Sequence, residues 1–175
     1  CNIRDDASVL AAAAGADAVV NCVGILSEVG KNKFQEVQAF GSARVARVSS
    51  EQGVMNFVQI SAIGANEDSS SNYARTKALG EASVLKYFPE ATILRPSIIF
   101  GAEDQFFNRF AQMATLSPFL PLVGANTKFQ PVYVGDVAVA VEKALLDSSV
   151  CGVYELGGPN AVSYTHLTLP TIAEV

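Results

Sequence analysis

Apolar positions follow two alternating patterns along the chain, short apolar runs and longer stretches with helical spacing. The short runs predict strands, at 18–23, 56–60, 91–94, 132–134 and 153–156. The longer stretches, where apolar residues return every three or four positions, predict helices, at about 7–14, 34–52, 72–87, 105–113 and 136–146. This alternation of strand and helix predicts an α/β fold, a doubly wound parallel sheet with helices on both faces.

The predicted elements end at residues that suit boundaries. Gly53 follows the second helix, and Pro89 stops the third. Pro96 must end the strand before it, because proline has no N–H for a sheet ladder. Asp136 is predicted to be the N-cap of the last helix.

Composition bounds the class of protein. The 175 residues are 50% hydrophobic and only 17% charged, which excludes a disordered or fibrous chain and is enough for one domain with a core. A formal charge of −5 without a basic stripe argues against nucleic acid as a partner. No apolar run is long enough to predict a transmembrane segment. Cys1, Cys22 and Cys151 lack metal-type spacing, and we expect reduced thiols in an intracellular protein.

Tyr73 and Lys77 form the main candidate for chemistry. They lie one helical turn apart on the third predicted helix, so both side chains should share a face. A neighbouring ammonium favours the phenolate, and we therefore expect Lys77 to lower the pKa of Tyr73 toward the range of a proton-transfer catalyst. Ser61, at the end of the preceding strand, could supply a hydroxyl to the same site.

Both ends of the chain differ from those expected of a nucleotide-binding domain. A dinucleotide fold places Gly-x-Gly-x-x-Gly after its first strand, and this sequence contains no such motif. We therefore expect a C-terminal fragment without the first strands, with residues 1–161 forming a partial domain. Residues 162–175 abandon the preceding periodicity and resemble a translated adapter sequence, so we expect a non-native tail. The lone histidine, His166, lies there and receives no role.

Together with Ser61, the Tyr73–Lys77 pair resembles the short-chain dehydrogenase/reductase superfamily. The segments 17–24, 61–64 and 95–101 resemble the ends of its fourth, fifth and sixth strands. The resemblance implies a Rossmann-like fold that binds NAD or NADP. It also implies cofactor contacts from these segments and the chain start: Asn2, Ile3, Asn21, Cys22, Val23, Gly24, Ser61, Tyr73, Lys77, Pro96, Ser97 and Ile98.

The alignment leaves the serine position open. Ser61 would orient a substrate oxygen, but Ala62 or Ile63 could hold the position that is serine in sugar-nucleotide epimerases. In that case Ser61 is a structural neighbour and the polarising hydroxyl is missing.

The segments 89–97, 101–110 and 129–134 resemble one branch of the superfamily, the dehydrogenase-like accessory subunits of respiratory complex I and their bacterial NAD-dependent epimerase/dehydratase homologues. Two functions follow. The first is an NAD(P)-dependent oxidoreductase or epimerase, in which Tyr73 exchanges a proton with substrate and Lys77 holds the ribose. The second is a non-catalytic, nucleotide-binding subunit of complex I. The resemblance implies a cytoplasmic or peripheral respiratory-membrane location.

Overall fold

The computed structural model describes residues 1–104 and 127–163. Its chain divides into two compact units. The first unit comprises Cys1–Arg95 and Ala140–Glu155, and the second comprises Pro96–Val139 and Leu156–Val175.

The first unit is built on a four-stranded sheet in the order β1–β2–β3–β7. The strands are β1 (Ala18–Asn21), β2 (Asn56–Ile60), β3 (Thr92–Pro96) and β7 (Gly152–Leu156). Strand β2 pairs in parallel with both β1 and β3. Because carboxyl ends of parallel strands meet at one edge, the residues after β1 and β2 lie at the same edge as Arg95, near the end of β3.

Three α-helices precede or connect these strands, namely α1 (Asp6–Ala13), α2 (Phe40–Glu51) and α3 (Asn72–Tyr87). Helix α3 begins where its sequence supplies a cap, since the Ser71 hydroxyl accepts the N–H of Ala74 at 3.4 Å. A π-helical turn, Gln35–Ala39, runs into α2. The predicted helix 34–52 is therefore two segments, and π turns of this kind often occur at functional sites.

The core lies between the sheet and these helices. Phe57 of β2 and Ile93 of β3 pack with Ala46 of α2 and Val84 of α3, and all four are almost fully buried. The alternate residues of β2 and β3, including Val58 and Leu94, are buried as well. Burial of both faces of the middle strands explains why they are apolar runs rather than alternating ones.

The second unit contains two short strand pairs. Strands β4 (Ile99–Phe100) and β6 (Val132–Tyr133) pair in parallel, and β5 (Lys128–Phe129) and β8 (Val162–Ser163) pair in antiparallel. The predicted tail thus begins with two residues of a strand, and its foreign origin stays a prediction. The predicted helix 105–113 lies outside the described residues.

Helix α4 (Val134–Leu146) begins two residues earlier than the sequence predicts. Asp136 is therefore inside the first turn and is not the N-cap, so that prediction is wrong. Its negative charge still lies at the positive end of the helix dipole. No helix within 1–104 and 127–163 is long and apolar enough to cross a membrane.

Candidate functional site

Helix α3 brings Tyr73 and Lys77 to the carboxyl end of β2. Lys77 is buried, with 8% of its surface exposed, and its Nζ donates a hydrogen bond of 3.2 Å to the carbonyl of Ile60. The same Nζ lies 6.0 Å from the centre of the Tyr73 ring. Tyr73 and Lys77 therefore share one face of α3, as predicted, and Lys77 on this face reaches the carboxyl end of β2.

Burial governs the ionisation of both side chains. Tyr73 is half-buried beside Phe34, whose ring meets it edge to face at a centroid distance of 5.8 Å. Removal from water raises the pKa of Tyr73, and the lowering expected from Lys77 is not found. Removal from water also lowers the pKa of Lys77, against the opposing effects of Glu81 and Cys22.

The segment after β1 lies open beside Lys77. Cys22, Val23 and Gly24 are exposed as residues, but the Cys22 thiol is partly removed from water. This raises the pKa of the thiol, and the charge of Lys77 opposes the effect. A Cβ atom at Gly24 would lie 3.2 Å from Lys77 Nζ. A side chain at position 24 would therefore contact the ammonium, and glycine leaves that space unfilled.

Asn21, in contrast, is buried and has structural partners. Its Nδ2 donates to Gln59 Oε1 at 2.9 Å on the neighbouring strand and lies 3.3 Å from Ser42 Oγ on α2. Its Oδ1 accepts the N–H of Val23 at 3.2 Å, which shapes the turn after β1. Asn21 therefore fixes the backbone of the exposed segment, and a direct cofactor contact stays a prediction.

Ser61 is also buried, and its hydroxyl donates to the carboxylate of Glu81. Arg95 holds the same carboxylate with two hydrogen bonds, Nε to Oε1 at 3.0 Å and Nη2 to Oε2 at 2.6 Å. A hydroxyl committed to a buried carboxylate has no free proton for a substrate oxygen. This geometry favours the interpretation of Ser61 as a structural neighbour, with Ala62 and Ile63 nearer to solvent.

At the start of the chain, Ile3 packs in the interior rather than lying exposed to a ligand. Its side chain is buried, and a Cβ atom at Gly41 of α2 would lie 3.1 Å from it. Asn2 is exposed, and its Oδ1 accepts the N–H of Arg4 at 3.2 Å. Ile3 helps to line a largely apolar cavity of about 300 Å³ beside the free edge of β1.

Pro96, Ser97 and Ile98 belong to the second unit, whereas the other predicted site residues belong to the first. Ser97 donates its N–H to the carbonyl of Leu156 at 2.8 Å, and the carbonyl of Ile98 accepts the N–H of Val132 at 2.9 Å. Backbone bonds thus order Ser97 and Ile98, and the part of all three residues in a cofactor site stays a prediction.

Sequence reasoning missed two buried polar groups near the site. Gln38, in the π turn, donates to the carbonyl of Ile25 at 2.8 Å and accepts from the hydroxyl of Thr76 at 2.8 Å. It therefore ties the loop after β1 to α3. Glu81 is the second group, and its spacing of four from Lys77 could have indicated it from the sequence.

The described residues offer no metal site. Within 1–104 and 127–163, no group of three or more His, Cys, Asp or Glu side chains could hold a metal ion.

The family description "RmlD substrate binding domain" matches residues 65–174, which is more than half of the chain. NADH dehydrogenase [ubiquinone] 1 alpha subcomplex subunit 9, mitochondrial, is 41% identical in Arabidopsis thaliana and 38% in Mus musculus, over 93% and 94% of the chain. A ceramide reductase from Caulobacter vibrioides is 30% identical over 87%. The chain spans 41%, 44% and 48% of these relatives' lengths.

Two solved structures share the fold. The dTDP-glucose 4,6-dehydratase DesIV from Streptomyces venezuelae, with NAD and TYD bound, has a TM-score of 0.81 at 22% identity, covering 99% of the chain and 62% of its own. The dTDP-4-dehydrorhamnose reductase from Bacillus anthracis, in complex with NADP, has a TM-score of 0.79 at 18% identity, covering 99% and 68%. The predicted Rossmann-like fold class and the resemblance to complex I subunits are confirmed.

Proposed function

The chain belongs to the RmlD substrate-binding-domain family, and we propose that the whole protein is a nucleotide-binding accessory subunit of respiratory complex I. The observation that carries the proposal is the identity of 41% and 38% to two subunits of that name, over nearly the whole chain. Since the chain spans less than half of those relatives, the proposal concerns the full-length protein.

The nucleotide, NAD or NADP, would be held at the carboxyl ends of β1, β2 and β3. The support is that Gly24, in the exposed turn after β1, has no side chain to fill the space beside the ammonium of Lys77. Among the described residues, the ammonium donates one of its three N–H groups, to the carbonyl of Ile60, and the other two can serve ribose hydroxyls. Asn2 and Tyr73 complete the proposed set within the first unit.

Measurement of bound nucleotide tests this proposal. Purified full-length protein should release NAD(H) or NADP(H) in an amount close to one per chain when it is denatured and analysed by mass spectrometry. Lys77→Ala should reduce that amount, whereas Lys86→Ala, an exposed lysine on the same helix, should leave it unchanged. Full-length protein that carries no nucleotide, and binds none when NADH or NADPH is added, would contradict the proposal.

A second candidate is a free-standing reductase. It is favoured by the retained Tyr73–Lys77 pair and by the similarity to a ceramide reductase. When bound, a nicotinamide nucleotide would supply hydride transfer. Tyr73 would then protonate the substrate oxygen, since burial raises its pKa and keeps the phenol protonated at neutral pH. The commitment of Ser61 to Glu81 weighs against efficient turnover.

A turnover assay separates the two candidates. Under the accessory-subunit proposal, full-length protein with NADH or NADPH should not reduce sugar nucleotides, steroids or small ketones. Steady oxidation of either cofactor with any of these substrates, lost in Tyr73→Phe, would favour the reductase.

A further inference from the structure

Glu81 is a buried carboxylate to which the proposed function gives no role. It is 5% exposed on α3, where an unpaired charge would be costly. Three donors satisfy it, namely the Ser61 hydroxyl and the Nε and Nη2 of Arg95. The two Arg95 bonds form the paired geometry in which guanidinium and carboxylate interact most strongly.

These donors come from the ends of two neighbouring strands. Ile60 of β2 is paired with Leu94 of β3, so Ser61 and Arg95 are the next residue on each strand. The Ser61 N–H also donates to the carbonyl of Leu94 at 2.7 Å, which extends the ladder by one bond. One carboxylate of α3 thus joins the helix to the carboxyl ends of both β2 and β3.

Lys77 holds the same point of β2 one helical turn away. Lys77 and Glu81 are four residues apart and share a face of α3. They bind consecutive residues, since Lys77 donates to the carbonyl of Ile60 and Glu81 accepts from the hydroxyl of Ser61. A shift of Glu81 would therefore move the helix turn from which Lys77 reaches the strand end.

The charges around Lys77 give Glu81 a second effect. The titratable groups facing Lys77 are Glu81 and Tyr73 on its own helix and Cys22 after β1, while Arg95 of β3 faces Glu81. Burial lowers the pKa of Lys77, and Glu81 opposes that effect. Removal of the negative charge would leave the buried ammonium with less to stabilise it.

We propose that Glu81 is a positioning residue for Lys77, which it acts on by fastening α3 to the ends of β2 and β3 and by stabilising the buried ammonium. The effect on nucleotide affinity rests on the proposed function. The effect on the charge of Lys77 does not, because it requires no nucleotide.

The first test measures the charge of Lys77 in full-length protein without nucleotide. The ε-carbon signal of Lys77, assigned with Lys77→Met, is followed by NMR as the pH is raised. In Glu81→Gln the midpoint should fall below that of the wild type, and in Glu67→Gln, which changes an exposed acid, it should not move. An equal midpoint in wild type and Glu81→Gln would overturn the proposal.

A second variant allows the same test if Glu81→Gln does not fold. Glu81→Gln removes the main partner of the Arg95 guanidinium and leaves it only the longer contact of 3.9 Å with Glu155, which can destabilise the protein. If it does, Glu81→Gln is introduced together with Arg95→Met, and the Lys77 midpoint should fall below that of Arg95→Met alone, because only the carboxylate differs between these two variants. An equal midpoint in these two variants would overturn the proposal.

The second test uses nucleotide affinity to ask whether Glu81 acts through Lys77. With NADH and NADPH as probes, Glu81→Gln should weaken the affinity by about three- to tenfold, and by less than about twofold when Lys77 is already Met. Equal losses in both backgrounds would show that Glu81 acts independently of Lys77. If wild-type protein binds neither probe, the proposed function fails, and the NMR titration still decides the role of Glu81.

Discussion

Tyr73 and Lys77 respond in opposite directions to the same cause, removal from water. Burial raises the pKa of Tyr73 and lowers the pKa of Lys77, so in each case the neutral form gains. The phenol is therefore suited to give a proton rather than to take one at neutral pH. The ammonium, stabilised by Glu81, is suited to hold hydroxyl groups.

Substitution of the phenol tests its chemical role. In full-length protein, Tyr73→Phe should abolish any reduction or epimerisation and change nucleotide affinity by less than about threefold, because the ring and its contact with Phe34 remain. Steady-state kinetics and a fluorescence titration with NADH measure the two effects. Turnover near the wild-type level in Tyr73→Phe would remove Tyr73 from the catalytic set.

The lowered pKa of Lys77 gives nucleotide affinity a pH dependence. The ammonium is the binding form, and it is lost at a lower pH than in an exposed lysine, whose ordinary value is 10.5. Affinity should therefore fall as the pH rises through this lowered pKa, and the fall should be absent in Lys77→Met. Titrations of NADH binding across the alkaline range check this, with Lys86→Met as the matched control. A Lys77→Met profile that still falls in the same range would contradict it.

At the scale of elements, the site depends on how closely α3 packs against the π turn. A Cβ atom at Gly80 of α3 would lie 2.5 Å from the backbone carbonyl of Gln38 and 3.3 Å from Ser42. Only glycine allows this approach. The approach lets Gln38 reach the hydroxyl of Thr76, the residue before Lys77.

Gly80→Ala should therefore destabilise the protein although alanine is the better helix former. The propensity gain is about 1 kcal/mol, and the clash with backbone should exceed it, with a net loss of about 1–3 kcal/mol in the free energy of unfolding. Urea denaturation measures the change. Ala82→Ser, exposed on the same helix, should alter it by no more than about 0.5 kcal/mol. A Gly80→Ala protein as stable as the wild type would mean that α3 can shift freely.

The elements themselves follow largely from local signals in the sequence. The bounds of β2 are those predicted, because its apolar run is buried on both faces. The break between the π turn and α2 has no such signal, since both parts share one helical periodicity. The role of Ser61 also could not be predicted, because it depends on contacts between distant positions. Glu81 lies 20 residues after Ser61, and Arg95 lies 14 residues after Glu81.

At the scale of the whole molecule, the fold class was predictable from the alternation of strands and helices and from the resemblance to known motifs. Whether the protein is catalytic could not be predicted from the fold, because a Rossmann-like sheet occurs in non-catalytic subunits and in enzymes. The sequence also left the choice between NAD and NADP open, and the chain spans less than half of its complex I relatives.

The position of the full-length protein in the cell tests the central claim most directly. Membranes from an organism that expresses a tagged full-length protein are solubilised mildly and separated on a native gel. We predict that the tag co-migrates with complex I activity and that protein recovered from this band contains NAD(H) or NADP(H). Protein that is absent from complex I and steadily oxidises NADH or NADPH with a ketone substrate would contradict the account.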